Sequence, residues 1–338
     1  MRKIRFGSAL KLIARGTSNY RNDRVIALSF EVTHSCTADC LHCDKGGMKK
    51  ENGIMQPADY REYQRRLKPM LVQLSGGEPL LRKDIIEIAK AVKEPSGLPY
   101  LIVVTNGRLF NEKLYTGLKK AGVNQFSVSL DFPDERHDAF RQSPGLFRHL
   151  SKLVPKLTAL GKDDIVLNTA ITRENLRSVL DIYKRAVEWK ANISFSAYTP
   201  LRTGEMKYFI SEPDDLVILR ETVRELIKLK ERGGRIVNSA WTLSGTYHYF
   251  KNGGYMAGCT AGKRFLVVQP DGSLLPCSML PDKTYTSQEE ILEKFTPENN
   301  CGACYVAIRA YLDEDYWTLL WDNVSQRVFR KTGTRGSC

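Results

Sequence analysis

The sequence has no long hydrophobic run, since none of its 338 residues belongs to a stretch of about 18 uncharged apolar residues, and this excludes a membrane-spanning helix. The beginning, Met-Arg-Lys-Ile-Arg-Phe, lacks the apolar segment of a secretory signal, so we expect no export. Without an export signal, the eight cysteines favour metal binding over disulfides. We therefore predict a cytoplasmic protein whose thiols stay reduced.

Acidic residues are also few relative to basic ones. Asp and Glu number 38 against 51 Lys and Arg, a net charge of +13, which is compatible with nucleic acid, an anionic membrane surface or an acidic partner. The basic residues are concentrated in residues 1–24, where Phe6, Ala9, Leu10 and Ile13 follow a helical spacing. Such a helix either covers one end of the following domain or lies on a membrane surface, in which case the protein is peripheral at the inner face.

Three cysteines lie close together after the apolar run 25–33, in the segment Cys36-Thr-Ala-Asp-Cys40-Leu-His-Cys43. Thiolates are the usual ligands of iron–sulfur clusters, and a [4Fe–4S] cube takes four of them. Three thiolates would leave one iron open to bind another molecule. The alternative is a zinc site in which His42 or a distant cysteine is the fourth ligand.

Strand and helix patterns alternate from residue 25 to about 200, which predicts right-handed βαβ units and a parallel sheet. Strands are predicted at 25–33, 71–75, 100–105, 125–130, 164–171 and 192–198. Helices are predicted near 57–68, 83–93, 110–121, 145–160 and 173–189. Polar motifs follow several strands, at the end where parallel α/β barrels carry their sites: Gly76-Gly77-Glu78-Pro79, Asn106, Ser129, Asp131, His137, Arg141 and, within the fifth strand, Asn168.

The CxxxCxxC segment, followed on the next strand by GGEP, resembles the signature of radical S-adenosylmethionine (radical SAM) enzymes. The resemblance implies a partial (β/α)6 TIM-like barrel. It also implies a [4Fe–4S] cluster held by Cys36, Cys40 and Cys43, whose open iron chelates S-adenosylmethionine (SAM). His42 takes the place before the third cysteine where the family usually has an aromatic residue.

Other cofactor contacts follow from the same resemblance. The GGEP segment implies a contact with the amino group of SAM, which the Glu78 carboxylate can receive. Ser129 and Asp131 correspond to positions that contact ribose or carboxylate, and Arg141 is expected to pair with the methionyl carboxylate. Asn106 and Asn168 are further candidate contacts, whereas we expect His137 to face solvent at a helix start.

A second group of cysteines comprises Cys259, Cys277, Cys301 and Cys304. The stretch between the first two predicts a β-hairpin turning at Asp271-Gly272, which brings its flanking cysteines together. Four thiolates make a closed site for a cluster or for zinc. The order resembles the auxiliary-cluster (twitch/SPASM-like) module of radical SAM proteins and implies a second [4Fe–4S] cluster. Cys338 is expected to be a spare thiol, and aromatic residues of a predicted helix at about 304–330 to pack this module onto the barrel.

These features predict three regions: a basic helix at 1–24, the radical SAM barrel at 25–234 ending at Gly233-Gly234, and the auxiliary module at 235–338. The resemblance implies reductive cleavage of SAM, hydrogen-atom abstraction from an organic substrate, and a ferredoxin or flavodoxin as electron donor. The substrate remains open among a membrane lipid or surface-bound molecule, a peptide, and a small alcohol or sugar. A zinc-containing nucleic-acid binder is the rival from another class, but we expect no nucleic acid.

Overall fold

Six parallel strands follow one another in chain order, as the alternating pattern predicts. They were located in a computed structural model, which describes residues 6–51 and 53–315. All six predicted strands are confirmed, within a few residues at their ends. The strands are β1 (Ala27–Glu31), β2 (Leu71–Ser75), β3 (Tyr100–Thr105), β4 (Gln125–Ser129), β5 (Ile165–Ile171), β6 (Asn192–Ala197), β7 (Phe265–Val268) and β8 (Leu274–Leu275).

The sheet has the order β6-β5-β4-β3-β2-β1-β7-β8. Strands β1 to β6 are parallel, and β7 pairs in parallel with the other side of β1, with Ala27 opposite Phe265. The predicted hairpin is confirmed, because β8 returns antiparallel to β7 and Gly272 supplies a positive φ of 89° in the turn. The fold is therefore α/β with a parallel sheet, consistent with a partial TIM barrel. The hairpin beyond Gly233-Gly234 continues that same sheet, while the three-region division stays a prediction.

Helices separate the strands and cover the sheet. The helices predicted between the strands are confirmed, whereas the short α5 and the later α9 and α10 are additional to the prediction. Of the predicted aromatic helix, α11 with Tyr311 is described, and its later residues lie outside the described part, as does Cys338. The helices are α1 (Phe6–Arg21), α2 (Pro57–Leu67), α3 (Ile85–Val92), α4 (Glu112–Lys120), α5 (Arg136–Arg141), α6 (Leu146–Thr158), α7 (Val179–Glu188), α8 (Pro213–Glu231), α9 (Ala240–Lys251), α10 (Gln288–Lys294) and α11 (Ala307–Asp313).

Helix α1 covers the amino ends of the first strands. Arg15 pairs with Glu94 at 2.8 Å, and the Asn19 amide donates to the carbonyls of Val25 and Lys68, which precede β1 and β2. Its apolar residues Ala9, Leu12, Ile13 and Tyr20 line the interior of the barrel. These contacts support the interpretation of the helix as a cover for the domain. Among the described residues, no helix combines the length and the apolarity that crossing a membrane requires.

Candidate functional site

The first cysteine loop follows β1 and is held in shape by its own backbone. Cys36 N–H donates to the Gly47 carbonyl at 2.8 Å, and Cys43 N–H donates to the Cys40 carbonyl at 3.0 Å. Gly47 N–H donates to the Ala38 carbonyl at 3.3 Å. The three cysteines therefore lie on one closed loop at the carboxyl end of the first strand, where active sites of α/β barrels form.

The Gly76-Gly77 turn after β2 packs directly on that loop. Gly77 N–H donates to the Thr33 carbonyl and Glu78 N–H to the Ser35 carbonyl, both at 2.8 Å. A Cβ on Gly76 would lie 2.2 Å from the Thr33 oxygen, and one on Gly77 would lie 2.1 Å from the Ser35 oxygen. The two glycines therefore allow this turn to lie directly against the backbone of the protein's own cysteine loop.

The Glu78 carboxylate, expected to receive an ammonium group, is held by groups of the protein, and its contact with SAM stays a prediction. It is fully buried and accepts hydrogen bonds from Thr105 Oγ1 at 2.7 Å, Asn106 N–H at 2.8 Å and Leu80 N–H at 3.0 Å. Burial raises its pKa to about 7. Glu78 thus ties the end of β2 to the end of β3, and Pro79 begins the short 3₁₀ turn that buries it.

Each sulfur of the first loop lies near a polar hydrogen of the protein. Asn106 Nδ2 lies 3.5 Å from Cys36 Sγ, Arg141 Nη1 lies 3.7 Å from Cys40 Sγ, and Lys45 N lies 3.5 Å from Cys43 Sγ. Hydrogen bonds to sulfur are a feature of thiolates that hold iron–sulfur clusters. The donor set therefore fits such a cluster.

A single zinc ion is the alternative to a cluster at each cysteine group. Zinc needs its ligands to converge on one point, each at about 2.0–2.3 Å. No group of three His, Cys, Asp or Glu side chains in the described ranges is arranged to hold one metal ion. In a cube each thiolate binds a different iron, so the sulfurs stay apart. The choice between a cluster and zinc at the second cysteine group therefore stays a prediction.

Asp131 and His137 form a buried polar group behind the loop, and the expectation that His137 faces solvent is wrong. Asp131 is fully buried; one oxygen accepts from Arg141 Nε at 2.6 Å and the other from Ala170 N–H at 3.0 Å. His137, expected in solvent, is also fully buried, and its Nδ1 accepts from Asp131 N–H at 3.1 Å. Burial lowers the pKa of His137 to about 4. Asp131 therefore orients Arg141 toward Cys40, and its own contact with SAM stays a prediction.

His42 lies flat on an aromatic ring. Its ring stacks on Phe140 at 4.7 Å between centroids and 7° between planes. Burial lowers its pKa to about 4, and its Nδ1 has no hydrogen-bond partner in the described chain. The neutral ring thus fills the place of the family's aromatic residue, and its predicted cofactor contact stays a prediction.

A cavity of about 600 Å³ lies inside the barrel, with residues of α1 at one part of its wall. Ser129, Asn168 and Arg141 line it on the barrel side, and Ser278 and Met279, which follow Cys277, line it as well. The cavity thus extends to Arg141, whose Nη1 lies 3.7 Å from Cys40 Sγ, and to the residues that follow Cys277. The roles of Ser129, Asn168, Asn106 and Arg141 toward SAM stay predictions, but the cavity brings Ser129, Asn168 and Arg141 to one space.

The buried guanidinium of Arg309 lies beside the second cysteine group, a position that the sequence did not predict. Arg309 donates to the carbonyls of Cys304 and Met256, and its Nη1 lies 3.9 Å from Cys304 Sγ. Its Nε lies 2.8 Å from Asp313 Oδ2, with only 5% of the Arg309 side chain exposed. Arg309 therefore joins the segment before Cys259 to the CxxC turn.

Two other cysteines of this group accept hydrogen bonds, Cys277 through its sulfur and Cys259 through its carbonyl. Met279 N–H lies 3.3 Å from Cys277 Sγ, and Asn299 Nδ2 donates to the Cys259 carbonyl at 2.9 Å. Burial raises the pKa of the Cys277 thiol, so binding a metal here would release its proton. The only sequence feature that indicates Arg309 is a basic residue about one turn after the CxxC segment. Such a residue is also typical of an ordinary exposed helix face, so it does not predict this role.

Comparison with known proteins gives one consistent result. Residues 30–186 match the family model of the radical SAM superfamily. The chain is 30% identical over 275 residues to an AdoMet-dependent heme synthase of Methanosarcina barkeri, covering 75% of this chain and 77% of that protein. It is 24% identical over 289 residues to a probable GTP 3',8-cyclase of Methanothermobacter thermautotrophicus, covering 80% and 90%.

Solved structures share the fold at low identity. Streptococcus suis SuiB bound to S-adenosylmethionine superposes with a TM-score of 0.65 at 17% identity, covering 84% of this chain and 70% of that one. Hexahistidine-tagged anSMEcpe with bound AdoMet gives a TM-score of 0.59 at 18% identity, covering 88% and 80%. Both support the same architecture.

Proposed function

Since the chain belongs to the radical SAM superfamily, whose members carry a 4Fe–4S cluster and SAM, we propose that it abstracts a hydrogen atom from an organic substrate held inside the barrel. The observation that carries this proposal is the cavity inside the barrel, which is lined by Arg141 beside Cys40 and by Ser278 and Met279 after Cys277. When bound, the cluster supplies the electron that splits SAM into methionine and a 5′-deoxyadenosyl radical. The chain's own contribution is orientation and exclusion of water.

Arg141 is the cation proposed to bind the SAM carboxylate. Its guanidinium already uses Nε for Asp131 and directs Nη1 toward Cys40 Sγ, which leaves further donors of its planar group for a ligand. Burial acts to lower the pKa of Arg141, but the Asp131 carboxylate together with the sulfurs of Cys40 and Cys43 raises that pKa, so the guanidinium stays charged. Ser129 and Asn168, on neighbouring strands of the same cavity, would supply neutral hydrogen-bonding groups.

A second [4Fe–4S] cluster is proposed at Cys259, Cys277, Cys301 and Cys304. The support is the buried Arg309, which brings a positive charge beside these sulfurs and offsets the charge of four thiolates. Four thiolates leave no open iron, so this cluster would shape the substrate cavity or accept an electron from the substrate.

The substrate is proposed to be a molecule that enters the barrel rather than a lipid held by α1. Helix α1 turns Ala9, Leu12 and Ile13 toward the barrel, so these side chains are withdrawn from a membrane surface, while Leu10 stays exposed. A heme precursor is the first candidate, because the AdoMet-dependent heme synthase shares 30% identity over 77% of its length. Peptides, GTP and small alcohols or sugars are alternatives to include in the same assay.

An acidic electron carrier, a ferredoxin or flavodoxin, is the proposed partner at the first loop. Cys43 is exposed, and Lys49 and Lys50 beside it are exposed as well. A basic rim around the exposed sulfur suits an acidic carrier through electrostatic steering.

The test is anaerobic reconstitution with iron and sulfide, followed by SAM and a strong reductant. We expect about eight irons per chain and release of 5′-deoxyadenosine, with a faster release when the true substrate is added. About four irons would remove the second cluster from the proposal. Absence of 5′-deoxyadenosine from fully reconstituted protein would contradict the proposed reaction.

A further inference from the structure

The side chain of Arg202, in the loop after β6, contacts a residue next to a cysteine of each group. Its Nε lies 2.8 Å from Oδ2 of Asp44, the residue after Cys43. Its Nη1 donates to the carbonyl of Ser278, the residue after Cys277. One side chain therefore spans two loops that are more than 200 residues apart in the sequence.

The same loop contacts the remaining cysteine pair. Thr199 Oγ1 donates to the Ala303 carbonyl at 2.9 Å, and Ala303 lies within the Cys301–Cys304 turn. The loop after β6 thus holds segments that carry both cysteine groups. Its two contacts are independent, because one is made by a hydroxyl and the other by a guanidinium.

Arginine is the residue type that suits this position. Its guanidinium presents donors in a rigid planar fork, so it can pair with a carboxylate on one side and a carbonyl on the other. The ammonium of lysine is a single centre and cannot span both partners. The Arg202 side chain is 17% exposed and that of Asp44 32%, so solvent weakens the pair without removing its geometric effect.

We propose that Arg202 is a positioning residue that fixes the separation of the two cysteine loops, and with it the width of the cavity between them. Arg141 lines that cavity beside the first loop, and Ser278 and Met279 line it beside the second. A small change in this width is costly, since a misplacement of about 1 Å can reduce a rate by about 10²-fold. The inference rests on the proposed function in one respect only, namely that the two loops hold iron–sulfur clusters.

Hydrogen exchange of the reconstituted holoprotein separates the two contacts. R202M is expected to increase deuterium uptake in residues 36–47 and 277–281 together. D44N is expected to increase it only in 36–47, and R202K, which keeps the charge, only in 277–281. Arg224→Met, which removes an exposed pair with Glu221 on α8, is the matched control and should change neither segment.

A second measurement reports on the separation itself. With both clusters reduced, the magnetic interaction between them broadens the electron paramagnetic resonance spectrum, and R202M is expected to narrow it.

Deuterium uptake in R202M that rises only within 199–204, or not at all, would overturn the proposal. Should R202M fail to fold, unchanged uptake of residues 36–47 in D44N would overturn it instead. Neither measurement uses substrate or turnover, so failure of the proposed reaction leaves this test intact.

Discussion

Replacing Gly77 by alanine should detach the first cysteine loop from the turn that supports it. The added Cβ would lie 2.1 Å from the Ser35 carbonyl oxygen, and an ordinary contact of 3.4 Å requires a displacement of about 1.3 Å. Such a movement lengthens the 2.8 Å bonds that Gly77 N–H and Glu78 N–H make to Thr33 and Ser35 beyond hydrogen-bonding distance. Each lost bond costs about 0.5–1.5 kcal/mol, so the loop loses about 1–3 kcal/mol of support.

Iron content is the direct assay, because the second cysteine group does not contact this turn. G77A is expected to retain about four irons of about eight after reconstitution and to lose formation of 5′-deoxyadenosine. Gly7→Ala is the control, since its Cβ meets nothing within 4 Å on α1. Retention of all the iron together with normal SAM cleavage in G77A would refute the idea that the close backbone approach holds the loop.

Three other predictions concern separate parts of the structure. C40A should abolish 5′-deoxyadenosine formation, whereas C277A should lose only the second set of irons, as counted by iron assay. R309M should lower the free energy of unfolding by about 3–5 kcal/mol, because it leaves the buried Asp313 carboxylate without its cation; a melting temperature equal to that of R224M would contradict this. Burial raises the pKa of Glu78 from 4.5 to about 7, so its contribution to stability is present at low pH and lost as pH rises through about 7. E78Q should therefore make the melting temperature depend less on pH between about pH 5 and 8. An unchanged slope of melting temperature against pH would contradict the assignment to Glu78.

The strands, the hairpin and the place of the motifs at strand ends could be predicted from the sequence, because periodicity and turn residues are local signals. The directions of the side chains at those ends could not. Glu78 and Asp131 follow strands just as ligand-binding carboxylates do, yet both turn inward to donors supplied by distant segments. No local pattern distinguishes a carboxylate that meets a ligand from one that meets Asn106 or Ala170.

Arg202 and Arg309 were missed for a related reason. Each joins segments that are far apart in sequence, and a single arginine in a loop or on a helix carries no signal of its partners. His137 illustrates the opposite error, since a histidine at a helix start is usually exposed, but here the chain folds over it. These positions depend on tertiary contacts, which composition and spacing do not encode.

The pairing of β1 with β7 affects how the protein can be made. Residue 27 meets residue 265, so one edge of the first strand has no partner until most of the chain has left the ribosome. During that interval its unpaired N–H and C=O groups can template the addition of another chain. Slow synthesis, or fragments that stop before the hairpin, should therefore favour aggregation, and chaperones that shield strand edges should improve the yield of full-length protein.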